Sequence, residues 1–294
     1  MNTAAGRIVG MVLLRARRLL LFLLLAILIA ALPAAARSLA VARPAANELP
    51  RQLLNAQDRA HAARVQADHL RALPAGSTPL DQMRHDAQVE RSEYDYRQAI
   101  RTEQEVIYRI AGAPEAEATN LASVPAERRP ALSAAAKALR AVWRLAGYQD
   151  LSQVQPRHNR HFPDSEPVAT LLGYYQVAQS RYGVNWSYLA AINYVESDFG
   201  RTNGPSSAGA LGPMQFLPST WQEVGQGGDI MSSRDSIAAA ARYLLRAGAP
   251  ANMDRAILAY NHDNDYLAAI SGYAEALRSD PGWLEKLYYW NTYG

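Results

Sequence analysis

The sequence predicts an all-α protein, and three observations lead to this fold class. From about Ser165 to the C-terminus, helix-capping residues and apolar residues at three- and four-residue spacing recur. Two longer stretches before that point, residues 51–72 and 80–111, also follow a helical period. No stretch alternates convincingly between apolar and polar residues, as a half-buried β-strand would. We therefore expect a helical domain, preceded by a helical hairpin or coiled-coil-like region and an N-terminal hydrophobic leader.

Residues 1–36 have the pattern of an export signal. Four arginines and no acid precede an apolar run at residues 19–32, and a proline followed by three alanines offers a small-residue cleavage site. The uncharged stretch 19–36 is also long enough to cross a bilayer. Both a cleaved signal peptide and an uncleaved membrane anchor are therefore predicted. Either one places the rest of the chain outside the cytoplasm, secreted or anchored to the cytoplasmic membrane.

Charge and cysteine content exclude several functional classes. The chain carries a formal net charge of +3, but the leader holds four arginines without an acid, so the remainder is close to neutral. This balance gives no support to nucleic-acid binding. The chain contains no cysteine, which excludes a disulfide framework and a thiol nucleophile.

Residues 37–130 are predicted to form a helical stalk or hairpin with linkers. Residues 37–50 contain two prolines among small residues and are interpreted as a linker, and residues 74–79 break the chain between the two long helices. Oppositely charged neighbours on these helices are typical of a solvated helix surface. Helices of this length also suit a protein partner, which we assign to residues 51–111.

Two further regions complete the expected organisation. Residues 131–164 are predicted to hold an alanine-rich helix that ends at Gly147, followed by a polar connecting segment. Residues 165–294 are predicted to form a separate helical domain.

The first candidate for chemistry is Glu196. Asn185 can cap a helix that runs to about Ser197, in which apolar side chains at three-residue intervals face a core. Glu196 would lie at the edge of that stripe in the last turn, and both apolar surroundings and the C-terminal helix dipole raise a carboxyl pKa. Such a shift suits a general acid. Taken alone, however, a glutamate at a helix end is most often a solvated surface residue.

Two later segments strengthen this interpretation. Gly212-Pro213-Met214-Gln215 lies in a glycine-rich loop whose backbone can approach a ligand closely, and the Gln215 amide can both donate and accept hydrogen bonds. Ala259-Tyr260-Asn261 closes a predicted helix and offers a hydroxyl and an amide side by side. Each segment alone also fits an ordinary turn or helix end.

In this order, Glu196-Ser197, Gly212-Pro213-Met214-Gln215 and Ala259-Tyr260-Asn261 resemble the three motifs of the transglycosylase SLT domain, the lysozyme-like fold of soluble lytic transglycosylases. The resemblance covers about residues 165–290. The sequence departs from the common pattern after the third motif, where residues 262–265 read His-Asp-Asn-Asp in place of small residues and glycine. This departure concerns the wall of the cleft and not the acid.

The resemblance implies an extracytoplasmic lytic transglycosylase that acts on peptidoglycan glycan strands. It would cleave the β-1,4 bond between N-acetylmuramic acid and N-acetylglucosamine and form a 1,6-anhydro ring, with Glu196 as the single acid and base. The substrate-binding residues that it implies are Ser197, Met214, Gln215, Tyr260 and Asn261. Neither a cofactor nor a metal is implied.

Two alternatives remain open at this point. A hydrolytic muramidase with the same fold would need a second carboxylate, for which Asp235, Asp263 and Asp265 are candidates. Asp198, two residues after Glu196, would point away from it on a continuing helix. The other alternative is a membrane-tethered scaffold that binds glycan without cleaving it.

Overall fold

The computed structural model describes residues 48–154 and 165–290. Within these ranges the protein is helical, and its one β-feature is an isolated bridge between Leu211 and Phe216. The all-α prediction is therefore confirmed. The predicted leader, most of the first linker and residues 155–164 of the predicted connecting segment lie outside the described residues. No helix in the described ranges combines the length and the apolar character needed to cross a bilayer.

Most helices begin and end where local capping signals place them. The side chains of Asn185, Ser232 and Asn252 each accept a hydrogen bond from a backbone amide in the first turn of the helix that follows. The α-helices in the described ranges are α1 (Glu48–Ala72), α2 (Pro79–Ala111), α3 (Glu117–Ala122), α4 (Arg129–Leu145), α5 (Val168–Tyr182), α6 (Trp186–Ser197), α7 (Pro218–Val224), α8 (Ser233–Ala247), α9 (Met253–Tyr260), α10 (Asn264–Ser279) and α11 (Trp283–Tyr289).

The helical hairpin predicted near the N-terminus is formed by α1 and α2, which pack against each other along their lengths. The Thr78 hydroxyl accepts a hydrogen bond from the Asp81 amide at the start of α2. Helix α1 begins at Glu48, three residues before the predicted start. Pro50 is compatible with this because amides of the first turn have no partner within the helix.

The hairpin shares a hydrophobic core with the C-terminal helices. Tyr96 of α2 packs edge-on against Tyr289 of α11, with ring centroids 6.0 Å apart. The Tyr108 ring lies 5.2 Å from that of Trp143 and 6.5 Å from that of Trp290. Within the described residues the hairpin is thus a packed layer of the molecule. The domain boundaries drawn from the sequence stay a prediction.

Helix α4 packs closely along α10, which in turn contacts the helix that carries Glu196. Gly272 of α10 makes this approach possible, because a Cβ atom at this position would lie 2.9 Å from the Ala134 carbonyl oxygen and 2.9 Å from the Ala138 Cβ. The predicted alanine-rich helix therefore supports, through α10, the helices around the site.

Candidate active site

Glu196 lies in the last turn of α6, as predicted, and is partly buried. The Tyr266 hydroxyl donates a hydrogen bond of 2.6 Å to its Oε1 atom. Burial raises the pKa of the Glu196 carboxyl from 4.5 to about 7, although the bond from Tyr266 acts in the opposite direction. The raised pKa expected for Glu196 from its sequence position is therefore present, and desolvation is its main physical cause.

Tyr266 is the site residue that sequence reasoning missed. It lies in the first turn of α10, where Asp263 Oδ1 accepts hydrogen bonds from the amides of Asp265 at 2.7 Å and Tyr266 at 3.4 Å. Burial raises the Tyr266 pKa well above its ordinary value, so the hydroxyl stays a donor at neutral pH. The available signal was its position just after the third motif, at the start of a clearly capped helix.

Tyr260 connects the second and third motifs to the acid. Its hydroxyl donates a hydrogen bond of 2.6 Å to the Met214 carbonyl oxygen. Its ring lies nearly parallel to that of Tyr266, with an interplanar angle of 8° and centroids 6.5 Å apart. The structure thus joins the glutamate, the glycine-rich loop and the tyrosine motif through direct contacts.

Ser197 is buried and does not face solvent, in contrast to the substrate contact predicted for it. Its hydroxyl donates a hydrogen bond of 2.6 Å to the Pro213 carbonyl oxygen and accepts one of 2.8 Å from the Gly200 amide. Asn193 donates to the same Pro213 oxygen at 2.9 Å. Successive side chains on a helix point in directions about 100° apart. Ser197 therefore points into the core, whereas the neighbouring Glu196 is only partly buried. Ser197 fixes the loop against α6.

The glycine-rich loop contributes to the site mainly through its backbone and less through its side chains. The Met214 side chain is fully buried and packs in the core, so it does not form the cleft surface predicted for it. Gln215 is partly exposed, and its Nε2 atom donates to the carbonyl oxygens of Gly212 at 3.0 Å and Gly204 at 3.2 Å. Gly212 has a φ of 76°, and a Cβ there would lie 2.0 Å from the Ile230 carbonyl oxygen. No other residue fits this position.

Asn261 follows α9 directly and is partly exposed. Its amide donates a hydrogen bond of 3.0 Å to the Ile257 carbonyl oxygen. Its side-chain amide makes no hydrogen bond to the described residues. Of the predicted ligands, Gln215, Tyr260 and Asn261 are partly exposed, and the Tyr260 hydroxyl is already bonded to the Met214 carbonyl oxygen.

A strained turn follows Glu196. Asp198 and Phe199 both have left-handed backbones, with φ values of 51° and 61°, which is unfavourable for residues with a side chain. Asp198 and Arg201 are buried, and Arg201 Nη1 lies 3.5 Å from Asp198 Oδ1. The Arg201 guanidinium also lies 4.2 Å from the ring centroid of Tyr288. These contacts hold the turn and place Asp198 in the protein interior.

The other acidic candidates have structural partners. Asp235 Oδ2 accepts a hydrogen bond of 3.1 Å from the Asp229 amide, and Asp263 caps α10. Asp265 Oδ1 lies 2.7 Å from a guanidinium nitrogen of Arg144. Only burial and Tyr266 act appreciably on the Glu196 pKa among the described groups.

Comparisons with known proteins identify the domain in which these residues lie. Residues 173–274 match the sequence model of the Transglycosylase SLT domain, and this range contains all three motifs. A curated relative, "Membrane-bound lytic murein transglycosylase F" of Thiobacillus denitrificans, is 33% identical over 143 residues, which are 46% of this chain and 29% of the relative. The chain thus spans less than a third of that relative. No solved structure gave a significant match. Within residues 173–274, the chain thus contains a transglycosylase SLT domain.

Proposed function

We propose that the chain is an extracytoplasmic peptidoglycan lytic transglycosylase. It cleaves the β-1,4 bond between N-acetylmuramic acid and N-acetylglucosamine, with Glu196 as the single acid and base. The observation that carries this proposal is the Glu196 carboxyl, which has a pKa of about 7 and is held by Tyr266 where the three motifs meet. A carboxyl with this pKa can give and take a proton near neutral pH.

In the first step, neutral Glu196 donates its proton to the glycosidic oxygen. Tyr266 is bonded to Oε1, which leaves Oε2 for the substrate. The bond between carbon 1 of the muramic acid and the glycosidic oxygen breaks, and the N-acetylglucosamine leaves with a hydroxyl. The acetamido group of the muramic acid stabilises the positive charge at carbon 1.

In the second step, the Glu196 carboxylate takes the proton from the C6 hydroxyl of the same muramic acid. The freed oxygen bonds to carbon 1 and closes the 1,6-anhydro ring. Glu196 is neutral again, and no water is consumed. Between the two steps the Tyr266 hydroxyl stabilises the carboxylate through a charge-assisted hydrogen bond.

The structural contacts of the other candidate carboxylates favour this reaction over hydrolysis. A hydrolytic muramidase with a flanking carboxylate needs a second acid close to the scissile bond. Asp198, Asp235, Asp263 and Asp265 each have a structural role in an ion pair, a loop hydrogen bond or a helix cap. A single carboxyl and an attacking group from the substrate itself fit these surroundings better.

The same pKa favours an enzyme over a glycan-binding scaffold. A buried carboxyl that ionises only near neutral pH reduces the stability of the fold above that pH. Such a group is typical of catalytic sites, whereas binding a glycan without cleaving it does not require one.

The other site residues have different roles in this proposal. Gln215 and Asn261, with partly exposed amides, bind the glycan, and Tyr260 positions the loop and the Tyr266 ring. Ser197 positions the loop from within and Met214 packs beneath it. The leader at residues 1–36 would bring the chain to the cell wall and, if uncleaved, hold it at the membrane. A protein partner for residues 51–111 stays a prediction.

The test is the rate at which the purified full-length chain solubilises purified peptidoglycan. We expect Glu196→Gln to lose at least about 100-fold in rate, as for removal of a general acid. Glu275→Gln is the matched control, because the Glu275 side chain is 51% exposed and pairs only with its helical neighbours. Equal rates for the wild type and Glu196→Gln would contradict the proposal.

A further inference from the structure

A cavity of about 620 Å³ lies between the short helix α3 and the outer face of α4. It lies outside the SLT match and does not include Glu196. Arg129, Ser133, Lys137 and Arg140 line it and recur at three- and four-residue spacing, so they share one face of α4. The α3 side supplies the carboxylate of Glu117 and a small apolar wall, formed by Pro114, Ala118, Leu121 and Ala122.

The one carboxylate in the cavity already has partners. Glu117 Oε2 lies 2.7 Å from Arg140 Nη2, and its Oε1 accepts a short hydrogen bond from the Ser133 hydroxyl. The Arg140 Nη1 atom is buried and has no hydrogen-bond acceptor among the described residues. The Arg140 guanidinium is therefore fixed in place and incompletely satisfied.

The other two cations have no acidic partner in the described part of the chain. The Arg129 guanidinium is oriented by hydrogen bonds of 2.7 Å to the carbonyl oxygens of Val124 and Ala122. Lys137 is exposed and forms neither an ion pair nor a hydrogen bond with the described residues. Three cations against one carboxylate leave the cavity with an excess of two positive charges.

Positive charge beside a small apolar wall selects a particular kind of ligand. A carboxylate on a short peptide with small apolar side chains would pair with Lys137 and Arg129, and its methyl groups would cover the alanines of α3. A bare inorganic anion would leave that apolar wall in water. The mixed lining therefore favours a carboxylate-terminated, alanine-containing peptide.

We propose that this cavity binds the carboxylate-bearing peptide stems of peptidoglycan, an inference that rests on the proposed function. Its Arg140 end lies one helical turn from Arg144, which pairs with Asp265 at the start of α10. Tyr266, the next residue, donates to Glu196. The cavity and the site are thus connected through α4 and α10. Stem binding here would favour peptide-bearing strands over bare glycan.

The direct test measures binding without cleavage. The full-length Glu196→Gln variant is titrated with diacetyl-L-Lys-D-Ala-D-Ala, which carries one carboxylate, and with its C-terminal amide, while backbone NMR shifts are followed. We expect shifts confined to α3 and α4 with the acid, and far weaker ones with the amide. Lys137→Glu should weaken binding by roughly tenfold, as loss of a charge pair does, whereas Arg84→Glu, on the remote part of α2, should not.

Several results would overturn the inference. Absence of shifts in α3 and α4, or equal binding by the acid and the amide, would exclude a carboxylate site. Equal competition by inorganic phosphate would show a simple anion site instead of a peptide site. Because binding is measured in an inactive variant, these outcomes are independent of whether the wild type cleaves glycan.

Discussion

At the scale of single residues, the bond between Tyr266 and Glu196 sets the pH range of the proposed reaction. The hydroxyl lowers the Glu196 pKa against the larger effect of burial. Tyr266→Phe removes the donor, so the pKa rises and the acid stays protonated to higher pH. We expect the alkaline limb of the kcat/KM profile to move up by about one pH unit, with a lower maximum because the carboxylate intermediate loses its donor.

The matched control for this variant is Tyr243→Phe. The Tyr243 hydroxyl donates to the Ala259 carbonyl oxygen at 2.7 Å and does not contact the acid. Its ring lies next to Tyr260 in the same aromatic cluster. On the same peptidoglycan substrate, the alkaline limb of the kcat/KM profile should therefore move in Tyr266→Phe and stay in place in Tyr243→Phe. An unshifted limb in Tyr266→Phe would show that this bond does not control the acid.

Glu196 also links activity to stability. Its folded-state pKa of about 7 exceeds the unfolded value of 4.5. Its contribution to folding is therefore fully present below pH 4.5 and is lost as the pH rises through about 7. We expect Glu196→Gln to be more stable than the wild type at pH 8, by up to about 3 kcal/mol, and similar to it at pH 4. Urea unfolding at both pH values measures this difference, and an equal gain at both would contradict it.

At the residue scale, the surroundings of Glu196 were easier to predict from the sequence than those of the other site residues. The apolar spacing in α6 was enough to place Glu196 at the edge of a buried stripe. The sequence did not show that the glycine-rich loop covers Ser197 or that Met214 of this loop packs in the core, because tertiary contacts position the loop. Tyr266 was missed because its bond to Glu196 joins residues 70 positions apart.

At the scale of helices, boundaries were predictable because capping is local. Asn185, Ser232 and Asn252 each bond to amides within three residues, so the sequence alone indicates these starts. The association of α4 with α10 was not predicted. It depends on a glycine whose role is visible only when the two helices are packed together.

Gly272 gives a sharp test of that association. A methyl group there would meet the Ala134 carbonyl oxygen at 2.9 Å, which forces the helices apart. We expect Gly272→Ala to lower the free energy of unfolding by about 1–3 kcal/mol, the usual effect of overpacking, even though alanine favours helices.

The control is Gly173→Ala in α5, where the added methyl group meets no atom within 4 Å. This change should raise the free energy of unfolding by up to about 1 kcal/mol, because alanine is the better helix former. Urea denaturation of both variants gives the comparison. A gain in both would mean that α4 and α10 do not pack as closely as described.

At the scale of the whole molecule, a buried ion pair connects the hairpin to the C-terminal helix. Glu103 of α2 is fully buried, and its Oε1 lies 3.0 Å from Lys286 Nζ of α11. Gln57 of α1 donates to the same oxygen at 2.8 Å. Arg64 and Glu285 add a second contact of 2.7 Å between α1 and α11. We therefore expect the hairpin and the SLT helices to unfold together.

Lys286→Met tests this coupling. It leaves the Glu103 carboxylate buried without its counter-ion, which typically costs about 3–5 kcal/mol of stability. The double variant Glu103→Leu, Lys286→Met removes both charges and should recover most of that loss. Denaturation followed by fluorescence should give one transition in each case. Two separate transitions, or a loss in the double variant as large as in the single one, would exclude the coupling.

The most direct test of the central claim is the chemical nature of the cut end. Purified peptidoglycan is digested with the full-length chain and with Glu196→Gln, and the masses of the products are measured by mass spectrometry. The proposed mechanism predicts 1,6-anhydromuramic ends with the wild type and none with the variant. Products with reducing ends, each heavier by one water molecule, would contradict it and indicate a hydrolase with a second carboxylate.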